Sequence, residues 1–231
     1  FSKFGPVEHV KLTSLRQKIS DHLSFAWSDI PHVTQFSDIC IDDLMTIRKG
    51  YNSKLKKSQI KLTVTIFIMK AIVETLKKFD NFNASLVGNE LVIKRYFHLG
   101  VAVDTDSGLK MPVLKNIDEN NLDNLNKNLS NLINLTRENK ISSSDLSGGV
   151  ISISNLGSFN IRSFDAIILP GQTYILAVGQ IFEDVYVNKG KIEIASFVNL
   201  TLSCDHRAVD GVLASQFFSS LVSNLEKISN V

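Results

Sequence analysis

Cysteine is scarce in this chain, with only Cys40 and Cys204 among 231 residues and no Cys-x-x-Cys pair. A disulfide-stapled framework and a cysteine-rich zinc cluster are both excluded, and a reducing compartment is the default. No single charge sign dominates: Lys and Arg total 25, Asp and Glu 23, for a net charge of +2. That balance gives no electrostatic footprint for a nucleic acid or a membrane surface. The one basic cluster, Lys54, Lys56, Lys57 and Lys61, reads as a solvated connection. No apolar run is long enough to span a bilayer. With four Pro and twelve Gly in all, no Pro/Gly-rich linker divides the chain. Residues 1–231 therefore read as one large domain. Motifs are missing too. "GQTYIL" and "NLGSFN" fit neither of the Gly-rich phosphate loops, and no Gly-x-Ser-x-Gly elbow marks a hydrolase nucleophile. The opening "FSKFGPVEHV" has neither an apolar signal core nor an initiator Met, so Phe1 reads as a cut point within a longer polypeptide.

What is present is an ordinary core-forming composition, 44% apolar and 21% charged. Leu12, Leu15, Ile19, Leu23 and Ala26 recur at helical spacing, with Ser14 and Gln17 placed as a capping box. "IPHVTQFSDIC" reads as a strand, and "DDLMTIRKGY" as a helix opened by two acids. In "LTVTIFIMKAIVETLKKF" the apolar stripe is too wide for a surface helix, which predicts burial on most sides. "ASLVGNELVIK" reads as a hairpin around Gly88 and Asn89. "FHLGVAVDTDSGLKMPVL" reads as two strands broken at Asp106, Ser107 and Gly108. Leu122, Leu125, Leu129, Leu132 and Ile133 mark a helix inside an Asn-rich stretch, against a disordered reading. The four Asn-x-Ser/Thr triplets, at Asn83, Asn128, Asn134 and Asn199, follow from that Asn-rich composition. Three strand-like runs follow, the last two joined by a turn at Asn188 to Gly190. A final helix carries Ala214, Phe217, Leu221, Leu225 and Ile228. Hairpins mixed with helix-linked strands predict an α/β fold: a mixed β-sheet with helices packed on it.

The chemistry concentrates in "LSCDHRAVDG", where His206 and Asp210 stand four apart between a strand pattern and a helix pattern. An imidazole changes charge near physiological pH and can take a proton from a thiol or hydroxyl. On spacing alone the alternative stays open: a structural His206, with Asp210 capping the last helix. Ser154 has its own alternative, as one polar position of an alternating strand that also carries Ser152. A metal site from Cys204, Asp205 and His206 is disfavoured, because successive residues of an extended run point to opposite faces.

The string Asp205-His206-Arg207-x-x-Asp210-Gly211 resembles the active-site signature of the dihydrolipoyl acyltransferases, the core components of 2-oxo acid dehydrogenase complexes. "LTSLRQKISDHL", "IPHVTQF", "FIMKAIV", "GVAVDTDSGLKMPVL" and "GGVISISNLG" resemble further segments of that family in the same order, so the resemblance covers nearly the whole chain. It implies a chloramphenicol acetyltransferase-like fold that forms a homotrimer, with active sites in channels between subunits. It implies a single catalytic acyltransferase domain over 1–231, the lipoyl and peripheral-subunit-binding domains lying outside it. The reaction implied moves an acyl group between a dihydrolipoyl arm and coenzyme A. His206 would accept the thiol proton, Ser154 would donate to the oxyanion, and Asp210 would orient the histidine loop or its tautomer; some members carry Asn there. The segments look most like the acetyl-transferring branch of the pyruvate dehydrogenase complex. Succinyl and branched-chain acyl groups, or a catalytically silent shell protein, are the alternatives. Coenzyme A is expected as substrate, the lipoyl group as supplied by a separate domain, and no metal is expected. Expected partners are further copies in a cubic or dodecahedral core contacting through "LEKISNV", lipoyl domains, and the pyruvate dehydrogenase and dihydrolipoyl dehydrogenase components, with no nucleic acid or membrane. The implied location is the bacterial cytoplasm or, in a eukaryote, the mitochondrial matrix or plastid.

Overall fold

The computed structural model describes residues 1–56 and 60–228. Lys57 of the basic cluster and the end of "LEKISNV", residues 229–231, lie outside the described residues. Lys54, Lys56 and Lys61 are exposed, as a solvated connection requires.

The first helix, α1 (Ser14–Asp29), starts one residue earlier than its capping box predicts. Thr13 is the cap, its hydroxyl accepting the Arg16 N–H at 3.2 Å, and Ser14 is the first helical residue. Strand β1 (His32–Cys40) and helix α2 (Asp42–Ser53) follow, the latter with Asp42 and Asp43 in its first turn. Helix α3 (Val64–Leu76) buries Ile66 to Met69, Ala71 to Val73, Thr75 and Leu76, which bears out its wide apolar face. The expected hairpin is β2 (Ala84–Val87) and β3 (Glu90–Ile93), turning at Gly88 with φ 57°. It forms a small sheet of its own.

The main sheet also uses β4 (Leu99–Val101), β5 (Val113–Leu114), β6 (Ile151–Asn155), β7 (Tyr174–Asn188) and β8 (Lys191–Asp205). Helix α4 (Leu122–Arg137) precedes β6, and α5 (Gly211–Ile228) closes the described chain. The strand order is β1-β8-β7-β6-β4-β5. The β4–β6 and β6–β7 pairs are parallel and the others antiparallel, so the sheet is mixed, as the hairpin pattern predicts. Lys189 and Gly190, with φ 48° and 83°, form the two-residue turn between β7 and β8. Buried Asn83 and Asn199 are structural parts of this interior, so those two triplets are not surface acceptors.

One core lies between the sheet and α3, α4 and α5. Phe82 stacks on Phe217 at 3.8 Å there, and Tyr174 packs edge-on against both. The opposite face of β7 presents Ile175 to a small second cluster with Ala26, Ile30 and Ile168. That cluster holds only the C-terminal end of α1. Ala26 is its one buried residue, and Leu15, Leu23, Phe25 and Trp27 stay exposed. The far half of the β7–β8 hairpin runs beyond the other strands. Val185 faces Ile194 and Val187 faces Ile192, giving one exposed face of four β-branched residues.

A close backbone approach fixes the segment after β6. A Cβ at Gly179 would stand 1.9 Å from the Arg162 carbonyl oxygen, and one at Gly157 would stand 2.7 Å from the Gly179 carbonyl oxygen. The Leu156 N–H donates to Val178 O and the Gln180 N–H to Ile161 O, so the loop lies flat on β7. Because backbone meets backbone, no side chain can yield. Gly179→Ala is expected to destabilise by about 1–3 kcal/mol or more. In a chain of this size that lowers Tm by several degrees, as calorimetry would show; an unchanged Tm would mean the loop is free to lift.

Candidate active site

His206 sits on the turn that leaves β8, and its neighbours fix that turn tightly. Asp205, the last residue of β8, is 2% exposed. Its carboxylate accepts the Arg207 backbone N–H at 3.0 Å, Arg207 Nε at 3.0 and 3.3 Å, and Arg207 Nη2 at 2.8 Å. A buried carboxylate demands such partners, since its desolvation is otherwise uncompensated. The hydrogen bonds it donates to Asp205 push the Arg207 guanidinium above its already high range; partial burial opposes them and Asp29 adds to them. Arg207 Nη1 reaches Asp29 Oδ2 at 3.0 Å. The His206 N–H donates to Pro31 O at 3.0 Å, while the Ala208 and Val209 N–H groups both donate to Asp205 O. The His206 side chain is exposed, and its ring makes no hydrogen bond or ion pair among the described residues.

Asp210 ends the same loop as the cap of α5. Its Oδ1 accepts the Leu213 N–H at 2.8 Å, and its carbonyl accepts the Ala214 N–H at 2.9 Å. It makes no bond to the His206 ring within the chain, so its visible work is to anchor the loop's C-terminal side. Beneath the turn, His32 pairs with Asp205 across β1–β8. His32 Nδ1 lies 2.7 Å from Ile30 O, and Nε2 accepts the Ile168 N–H at 2.9 Å. Those two partners require the Nδ1–H tautomer and leave His32 no free nitrogen for chemistry. Cys204 is buried, and burial, aided by Asp205, pushes its thiol up to about 12. A thiol so held stays protonated at neutral pH, which disfavours it as a nucleophile.

Ser154 lies elsewhere. It is half-buried on β6, and with Asp104, Asp106, Leu109, Arg137 and Phe159 it lines a cleft of about 500 Å3. Its hydroxyl has no hydrogen-bond partner among the described residues. Ser152, on the same side of β6, is fully buried. Ser154 is level with Ala177 of β7, which is level with Thr201 of β8. His206 is two strands over and five positions further along. At about 3.3 Å per residue and about 4.8 Å per strand, the two Cα atoms are about 19 Å apart. One chain therefore does not bring Ser154 and His206 to a common reacting atom.

Sequence reasoning singled out His206, Ser154 and Asp210 but not Asp29 or the clamped His32. Asp29 stands 178 positions from Arg207, so no local pattern could flag the pair.

Residues 4–231 match the family model of the 2-oxoacid dehydrogenases acyltransferase catalytic domain. The dihydrolipoyllysine-residue acetyltransferase component of the pyruvate dehydrogenase complex of Cupriavidus necator is 36% identical over 99% of this chain. The succinyltransferase component of the 2-oxoglutarate dehydrogenase complex of Rickettsia typhi is 35% identical over 96%. The chain spans 42% and 56% of those relatives' lengths. The solved Azotobacter vinelandii dihydrolipoamide acetyltransferase superposes with a TM-score of 0.94 at 34% identity, over 98% of this chain and 94% of that one. That enzyme was studied for the roles of a serine, a histidine and an asparagine in its catalytic mechanism. The cubic core of the pyruvate dehydrogenase multienzyme complex superposes at 0.93 with 34% identity, over the same shares of the two chains. A chloramphenicol acetyltransferase superposes at 0.53 with 12% identity, covering 89% of this chain and 94% of that one, which shows the shared fold.

Proposed function

The chain belongs to the 2-oxoacid dehydrogenases acyltransferase family, and from that premise we propose that it transfers an acetyl group between a dihydrolipoyl thiol and coenzyme A at a site made by two copies of itself. The observation that carries the two-copy reading is the separation of Ser154 and His206, each without a hydrogen-bond partner for its reactive group among the described residues. The serine, histidine and asparagine of the Azotobacter vinelandii enzyme are spaced along its sequence as Ser154, His206 and Asp210 are here. Asp replaces Asn at the third position, where this chain needs a helix cap.

In this mechanism His206 of one copy accepts the proton of the coenzyme A thiol, because a thiol is mostly protonated at neutral pH and the thiolate is the nucleophile. The thiolate attacks the thioester carbonyl carbon of the acetylated dihydrolipoyl group. Ser154 of the neighbouring copy donates its hydroxyl to the resulting oxyanion. The carbon–sulfur bond to the lipoyl sulfur then breaks, and His206 returns its proton to that sulfur. Acetyl-coenzyme A and the free dihydrolipoyl thiol leave, with His206 again neutral. Asp210 and the Asp205–Arg207 pair keep the turn in place throughout.

Residues 1–231 act as a single catalytic domain. The lipoyl arm is presented by a separate domain, and copies associate as a trimer that builds a larger core. Two features support association. The exposed apolar face of α1 and the four β-branched residues on the hairpin leave large side chains in water, and a two-stranded ribbon is marginally stable unless something packs on it. The cubic assembly of the relative with a solved core favours a cube over a dodecahedron. Pyruvate dehydrogenase and dihydrolipoyl dehydrogenase components are the partner enzymes. No described helix is long and apolar enough to cross a membrane. The compartment in this reading is reducing: the bacterial cytoplasm, matching the bacterial relatives.

The test is complementation between two inactive chains. Separately assembled His206→Ala and Ser154→Ala proteins each lack one half of every site. Random co-assembly at equal amounts restores both halves at about a quarter of the boundaries in a cyclic assembly. About a quarter of the wild-type rate is expected with acetyl-coenzyme A and dihydrolipoamide, and no recovery would defeat the two-copy site. The Rickettsia typhi relative supports a succinyl-transferring alternative; comparing turnover of acetyl-, succinyl- and isobutyryl-coenzyme A decides the acyl group.

A further inference from the structure

Asp29 is the last residue of α1, a helix with Ala26 as its one buried residue. A carboxylate there faces the negative end of the helix dipole and is locally unfavourable. Its oxygen is nonetheless held by Arg207 Nη1 at 3.0 Å, while the other side of the same guanidinium grips Asp205. The chain from Asp29 to His32 forms the floor of the turn: Pro31 O accepts the His206 N–H, and His32 pairs with Asp205. His206 lies between Asp205 and Arg207 in sequence, so whatever fixes the guanidinium at both ends removes freedom from the backbone that aims the imidazole.

We propose that Asp29 is a positioning residue for His206 in acyl transfer, acting through Arg207; this rests on the reading of His206 as the base. Asp205 alone holds one edge of the guanidinium and leaves Nη1 to solvent. Asp29 closes the second edge and ties the turn to the end of α1 and the start of β1. The side chains of Asp29 and Arg207 are 46% and 37% exposed, so the contribution is modest, about two- to fivefold in rate. Asp29→Asn removes the ion pair and the unfavourable charge at the helix end together, so thermal stability is expected to change little.

The experiment uses the assembled full chain and two independent readouts. Hydrogen–deuterium exchange followed by mass spectrometry should show the peptide spanning residues 203–209 exchanging at least twofold faster in Asp29→Asn, with the β6 peptide containing Ser154 unchanged. In steady state, kcat should fall two- to fivefold with KM for coenzyme A essentially constant, and Asp29→Glu should recover part of the loss. In an Arg207→Lys background the same Asp29→Asn change should cost nothing further, because the fork it acts through is gone. Unchanged exchange at the turn, or an equal loss of kcat in both backgrounds, overturns the proposal. The exchange readout needs no activity, so it tests Asp29 separately. Retention of full transfer by His206→Ala would instead sink the acyltransferase reading on which it rests.

Discussion

His206→Ala lowers kcat for acetyl transfer by about 10²–10⁴-fold, the range a positioned general base supplies, while the assembly and its melting temperature stay as they were. The structural half of this expectation follows from exposure: the imidazole is solvent-exposed, and the turn is held by the His206 backbone N–H, Asp205 and Arg207. Removing the exposed ring opens no buried cavity and breaks no hydrogen bond among the described residues. The chemical half follows from the thiol. Without a base, the nucleophile is limited to the small fraction of coenzyme A ionised in solution, so the loss should shrink as pH rises toward the thiol's own range. Stopped-flow transfer assays across pH, with sedimentation on the same samples, check both halves. An unchanged rate would favour the catalytically silent shell protein.

Ser154→Ala is expected to cost about 10²–10³-fold in kcat, as loss of one oxyanion donor does. KM for either thiol substrate should hardly move, because the negative oxygen exists only near the transition state. The neighbouring Ser152 provides the control. Its hydroxyl is fully buried without a partner, 2.9 Å from where a Cβ on Gly100 would stand. Deleting an unsatisfied buried hydroxyl removes a desolvation cost, so Ser152→Ala should leave kcat intact and stability equal or higher. A large rate loss in Ser152→Ala with none in Ser154→Ala would reverse the choice between the two serines.

Much of the fold was legible because its signals are local. The mixed sheet followed from hairpins interleaved with helices, and buried α3 from an apolar stripe too wide for a surface. Register was harder. The capping box was misplaced by one residue because Thr13 and Ser14 are both competent caps, and only the course of the backbone before the helix selects Thr13. The second and third strand runs of the C-terminal third are 15 residues each. Between them lies a register shift at Val178–Ile181, a bulge that local alternation does not announce.

The sequence by itself determined where to look for chemistry: an imidazole at position 206 inside a string that resembles a family signature, a serine at 154 in a strand-like run, and no rival Gly-rich cofactor loop. It also determined the fold class, since period and turn residues act within a few positions of themselves. Tertiary structure alone decided that Ser154 and His206 stand about 19 Å apart in one chain, a distance set by strand order and register. It alone decided that Asp29 completes the grip on Arg207. Strand order and ion pairs between distant positions depend on how the whole sheet closes, and no local residue pattern carries that information.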